Sequence, residues 1–122
     1  MADRFLQLGG KPALVCAADG PLLGGESGAD DFLSLALSAN AELLVLPVRR
    51  IDGKFFDLRS GIAGRVVQKF VTYGVRLVIM GDISEWTGRS RAFRDFVYEA
   101  NKGGAFWFVA DEVALRERLE RA

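Results

Sequence analysis

Apolar residues along this chain fall into short runs separated by glycine-rich or charged breaks. Residues 4–8 (RFLQL) and 13–17 (ALVCA) read as strands on either side of the turn signal Gly9-Gly10-Lys11-Pro12, so they are expected to pair as an antiparallel hairpin. Residues 43–46 (LLVL) form a third run that stops at Pro47, which cannot donate to a ladder and marks a strand end. Residues 75–80 (VRLVIM) are read as continuously apolar rather than alternating. That pattern predicts a strand covered on both faces, as in a parallel sheet. Residues 105–110 (AFWFVA) form the last strand. They cannot hide alternate side chains on one face alone, so this strand is expected either at the centre of the sheet or against a partner subunit.

Between these runs the period changes to that of helices. The glycine-rich loop 19–28 (DGPLLGGESG) leads into a helix that runs to about Asn40. Ser27 and Asp30 have the spacing of a capping box, with Asp in place of Glu. Phe32, Leu33, Leu35, Ala36 and Leu37 make this helix apolar nearly all round, which predicts cover on most sides or a partner. In the second helix, residues 60–73, Ile62, Val66, Phe70 and Tyr73 share one face, and Arg65, Gln68, Lys69 and Thr72 share another. Gly74 is a natural stop. Gly61 and Gly64 would let another backbone approach, most simply in packing against the sheet. A third helix, residues 89–100, carries the stripe Phe93, Phe96, Val97 and Ala100, with Arg91 and Asp95 one turn apart. Asp111 is expected to cap a C-terminal helix bearing Glu112–Arg116 and Glu117–Arg121 pairs. Strands alternating with helices predict one α/β domain over residues 1–122. It would have about five strands, mostly parallel with an antiparallel strand at the N-terminus, about four helices, and right-handed crossovers.

Composition narrows the function. The chain has 122 residues, the size of one ordinary domain, and half are hydrophobic, enough for a core. Sixteen basic and sixteen acidic residues give zero net charge, which argues against a protein that works mainly by gripping nucleic acid or an anionic membrane. No apolar run has the length of a membrane span and no leader pattern opens the sequence, so a cytoplasmic protein is expected. The single cysteine, Cys16, lies in an apolar run and reads as a small core residue. The chain contains no histidine. The commonest metal ligand, the commonest general base and the Ser-His and Cys-His pairs are therefore absent, and an enzyme or a cofactor is not the first expectation.

Residues 55–84, FFDLRSGIAGRVVQKFVTYGVRLVIMGDIS, and the later phrase RDFVYEANKG resemble a bacterial family numbered 4180 among domains of unknown function. The phrases that carry the resemblance are FFDL, AG, QKF with Tyr73, GD, and RDF followed by EAN and a glycine. The resemblance extends over about residues 14–119 and implies no assigned activity. Residues 43–82 are also more distantly similar to STAS domains, the modules of sulphate transporters and anti-sigma-factor antagonists. That similarity implies a sheet backed by helices and a phosphorylatable hydroxyl at a helix start, in a pattern like Asp-Ser-Ser-Gly. Here the segment is Asp57-Leu58-Arg59-Ser60-Gly61: the residue before Ser60 is Arg59, and the aspartate is displaced by one position. A phosphoswitch does not carry over cleanly.

Candidate chemistry gathers where strands give way to helices. The helix start at Ser60-Gly61 can hold a phosphate or carboxylate, and a phosphate on Ser60 would be tolerated there; a plain helix cap is the competing role. Asp19 and Asp82 follow apolar strands and Asp57 precedes a helix. In a parallel sheet these carboxylates would project at the C-terminal edge, where open α/β sheets take ligands. Asp19, Asp57 and Asp82 would offer oxygen ligands for Mg²⁺, with turn chemistry as the competing role. Loop 19–28 lacks both GxxxxGK[ST] and GxGxxG. Arg65, Gln68 and Lys69 form a polar stripe, either solvated or in contact with a partner. A partner- or ligand-binding surface is assigned to Asp57, Arg59, Ser60, Arg65, Gln68, Lys69, Asp82 and Ser84. The reading that follows is a non-enzymatic, STAS-like regulatory module that docks a protein partner. Its alternatives are a ligand-binding protein or Mg²⁺-dependent enzyme using those carboxylates, and an oligomeric structural component, for instance a homodimer joined through the apolar first helix or residues 105–110.

Overall fold

The computed structural model describes residues 3–121. The side chains of Glu26 and Ser27 lie outside the described part, and with them the capping box expected of Ser27. The chain runs β1 (Arg4–Leu8), β2 (Lys11–Val15), α1 (Glu26–Ser38), β3 (Leu43–Pro47), α2 (Ile62–Tyr73), β4 (Arg76–Met80), α3 (Ser84–Arg89), α4 (Arg91–Lys102), β5 (Phe106–Val109) and α5 (Glu112–Arg121). Three 3₁₀ turns, Val48–Arg50, Gly53–Phe56 and Leu58–Ser60, fill the connection between β3 and α2.

The five strands make one sheet in sequence order, with β1 antiparallel to β2 and β2 through β5 parallel. A chain that adds parallel strands always in one direction, through crossovers of one hand, lays every crossover helix on the same face. Phe32, Leu33 and Ala36 of α1, Ala63, Val66 and Phe70 of α2, and Phe93 of α4 accordingly share one core with Leu44, Leu46, Leu77, Ile79, Phe106 and Phe108. The alternate side chains, Ala13, Val15, Leu43, Val45, Val78, Trp107 and Val109, face the other way and pack under Leu115 and Leu119 of α5. Strand order never reverses, so the sheet has no switch point of the kind that opens a ligand crevice in doubly wound folds.

Local chemistry moved several expected boundaries. The helix expected over residues 89–100 is α4, which starts two residues late behind Ser90, whose hydroxyl accepts the Phe93 amide at 3.1 Å and caps it; the segment before it forms a further short helix, α3. The ion pair in this region is Glu85–Arg89, at 3.1 Å, rather than Arg91–Asp95. The second helix starts two residues late because residues 58–60 tighten into a 3₁₀ turn, and Gly61 then takes φ +76°, a left-handed conformation that favours glycine. On α2, Ala63 is buried while Tyr73 is 57% exposed, and no backbone approaches the open face of Gly64. Asp111 does cap α5, accepting the Ala114 amide at 2.8 Å, and Glu112 pairs with Arg116 at 3.2 Å. Arg121 donates instead to the Glu117 backbone carbonyl.

The last strand is at neither the centre nor a bare surface. β5 is the sheet edge, yet all four residues are buried, because α4 covers Phe106 and Phe108 while α5 covers Trp107 and Val109. An open edge is a template for unwanted strand pairing. Here the outward Phe108 amide donates to the Asn101 side-chain oxygen at 2.8 Å. Asn101→Ala would strand that half-buried donor. It is expected to destabilise the fold by about 1–3 kcal/mol in urea denaturation and to increase aggregation near the midpoint. A stability loss below about 0.5 kcal/mol would show that the edge does not depend on this bond.

Candidate functional site

The long connections after β2 and β3 meet at the C-terminal edge of the sheet. Leu23 and Ile51 form a parallel bridge, with the Leu23 amide donating to the Arg50 carbonyl at 2.7 Å and the Asp52 amide to the Leu23 carbonyl at 3.0 Å. Arg50 locks this junction. It is the one buried charged residue among the described residues; its Nε donates to the Pro21 carbonyl and its Nη1 to the Ala17 carbonyl, both at 2.9 Å, and its guanidinium lies over the Phe32 ring. Beside it Cys16 is buried, and burial first, then Asp3, pushes its thiol up to about 11 against the opposing effect of Arg50. A thiol held protonated in this way is inert rather than nucleophilic.

The carboxylates expected to converge are separate. Asp19 pairs with Arg49 at 3.0 Å. Asp57 caps its own turn, accepting the Arg59 amide at 3.1 Å, and Asp82 accepts the Ser84 amide at 2.8 Å. Hydrogen bonds from the Ser84 backbone and side chain hold the exposed Asp82 carboxyl below the usual carboxylate range. Among the described residues no three His, Cys, Asp or Glu side chains form a group able to hold a metal ion.

Ser60 acts as a fastener of the turn. Its hydroxyl donates to the Asp57 carbonyl at 2.7 Å or the Lys54 carbonyl at 3.0 Å and accepts the Ile62 amide at 3.2 Å, while Arg65 Nη2 donates to the Ser60 carbonyl. The 3₁₀ turns Gly53–Phe56 and Leu58–Ser60 wall an open groove of about 530 Å³ against α3 and the start of α4. Its floor is buried Phe56 with Trp86 stacked on it at 4.0 Å and 18°, Trp86 itself being only half-buried. Arg59 and Arg89 stand on its rims. Asp57 and Arg59 therefore belong to the groove, and Ser60 and Arg65 stand immediately behind it. Lys69 lies elsewhere, paired with Asp30 of α1 at 2.5 Å, and Gln68 bonds Thr72 along α2. Asp82 and Ser84 line a different cleft, of about 440 Å³, with Thr87 and Asn101.

A family model described as a domain of unknown function, DUF4180, matches residues 8–119. The chain belongs to the DUF4180 family. No curated protein and no solved structure matches it. In this DUF4180 protein the recognisable phrases have mechanical jobs. FFDL places two buried rings and a turn cap, QKF ties α2 to α1 and plants Phe70 in the core, and the Asn101 of EAN closes the sheet edge. No helix among the described residues is long and apolar enough to cross a membrane. Arg50 lies in the charged segment RRIDGK, where nothing local marks it for burial; Trp86, a large apolar residue expected in the core or at a homodimer surface, is instead half-buried on Phe56. The signal that could have raised Trp86 is its place in a short polar segment with no apolar period to absorb it.

Proposed function

We propose that this DUF4180 protein is a cytoplasmic, non-enzymatic binding module of STAS-like kind. It docks an acidic partner segment, carrying one apolar anchor, in the groove between residues 53–59 and 84–94. The observation that carries the reading is Trp86, a large ring left half-open on a buried Phe56 at the floor of that groove. Trp and Arg dominate binding energy at protein interfaces, above all where a ring sits at the centre with charges at the rim. The groove is lined by Arg59 and Arg89 against Asp57 alone among charged residues, a small excess of positive charge in a chain whose net charge is zero. That favours a partner with carboxylates beside its anchor. The helix layer on one face of the sheet is in keeping with the STAS-like expectation.

A peptide array of acidic ten-residue segments, each with one Leu or Phe, tests this reading. Selected peptides are expected to bind with a change in Trp86 fluorescence. Trp86→Ala and Arg89→Glu, each folded by circular dichroism, are expected to weaken them at least about tenfold, the effect of losing one interface anchor. Equal binding by the wild type and both variants would count against the groove. A dimer in light scattering that Trp86→Ala dissolves would replace the partner segment with a second copy of the chain.

A further inference from the structure

The opposite, N-terminal edge of the sheet carries a second concentration of positive charge. Arg76 at the start of β4, Lys102 at the end of α4, and Arg118 and Arg121 of α5 surround an open pocket of about 510 Å³ whose remaining wall is the side-chain-free Gly103-Gly104 backbone and Trp107. Trp107 is buried, donates its indole N–H to the Gly103 carbonyl at 2.6 Å, and has the Arg76 and Arg118 guanidiniums over its ring at 4.4 and 4.2 Å. Arg76 Nε donates to the Gly104 carbonyl and Arg118 Nη2 to the Asn101 carbonyl, so both guanidiniums are fixed in place by backbone.

What this arrangement lacks is negative charge. Lys102 has Glu99 at 3.5 Å, but Arg76, Arg118 and Arg121 make no ion pair among the described residues. Arg76 Nη1 is buried and has no hydrogen-bond partner. An unsatisfied buried donor is rare and costly in a native protein. Burial, Arg121 and Arg76 all depress the Arg118 guanidinium, and no carboxylate opposes them. Like charges held together by the fold, around a hole, need a counter-charge that the described residues do not supply.

We propose that this pocket binds a small, multiply charged oxyanion of the phosphate or polyphosphate class. Guanidiniums present paired N–H donors that match phosphate oxygens, and backbone glycines let such a group approach closely. An extended nucleic acid fits less well. With these four cations set aside, the rest of the chain has 12 basic against 16 acidic residues, which repels a long polyanion. The site is independent of the groove at Trp86 and lies at the other end of the strands.

Isothermal titration of the intact chain with inorganic pyrophosphate, at constant ionic strength, tests the proposal. Saturable binding is expected. Arg121→Gln and Lys102→Gln are exposed changes that leave the core intact, and each is expected to weaken binding about tenfold, the effect of removing one charged hydrogen bond. Arg118→Gln should weaken it further, and Trp86→Ala should not weaken it at all, which separates this site from the groove. The proposal is overturned if pyrophosphate gives no saturable heat beyond matched sodium chloride. It is equally overturned if Arg121→Gln and Lys102→Gln bind as the wild type does, or if a single-stranded oligonucleotide binds more tightly than pyrophosphate.

Discussion

Arg50→Ala is expected to lower the free energy of unfolding by about 3–5 kcal/mol in urea denaturation, the largest single effect outside the apolar core. Arg50 is only 6% exposed, and its guanidinium satisfies two carbonyls of the loop after β2. Truncation takes the donor from the half-buried bonds to the Ala17 and Pro21 carbonyls, opens the cleft they line, and removes the charge over Phe32. The chain around Arg50 is shaped to it. Gly20 has φ +146°, and a Cβ there would lie 2.8 Å from the guanidinium carbon. Arg50→Lys keeps the charge but not the planar fork, and is expected to recover less than half of the loss. The midpoint should fall with little change in the slope. A loss under about 1 kcal/mol would mean that the bridge between Leu23 and Ile51 holds the two connections without the arginine.

The second large effect is expected at Phe93, which is fully buried beneath the groove. Its ring meets Phe56 edge-on at 5.4 Å and Phe108 at 5.7 Å, and packs beside Phe96 at 6.2 Å. Phe93→Ala should cost about 3–5 kcal/mol through lost burial and the cavity left behind, whereas Phe93→Leu should cost about 1–1.5 kcal/mol. Because Phe56 rests on this ring and Trp86 on Phe56, the alanine variant should also blur the near-ultraviolet signal of Trp86 before the protein unfolds. An unchanged tryptophan signal alongside the expected stability loss would show that the groove floor stands without Phe93.

Much of the architecture was legible because hydrophobic period and strand length are local signals. The hairpin around Gly9-Gly10, the parallel strand at 76–80 and the C-terminal cap at Asp111 each follow from a few neighbouring residues. The break at Ser90 was less legible, since one serine hydroxyl competing for one amide decides it. The placement of β5 was not legible either, because cover by two helices mimics the composition of a central strand.

The functional positions divide in the same way. Asp57, Asp82 and Ser60 stood out as chemistry in the sequence, but short polar residues after strands and before helices satisfy nearby amides first, and these three do so here. Arg76 lies within a run read as continuously apolar, and nothing local to Arg118 sets it apart on the C-terminal helix. Both matter only because strand order brings β4, β5 and α5 to one corner. Local pattern alone therefore determined the five strands, four of the helices, their order and the α/β class. Which charges meet, which ring stays half-open and which arginine is buried were decided only by the tertiary structure, since those contacts join residues far apart in the chain, 33 positions between Ala17 and Arg50 and 108 between Arg4 and Glu112.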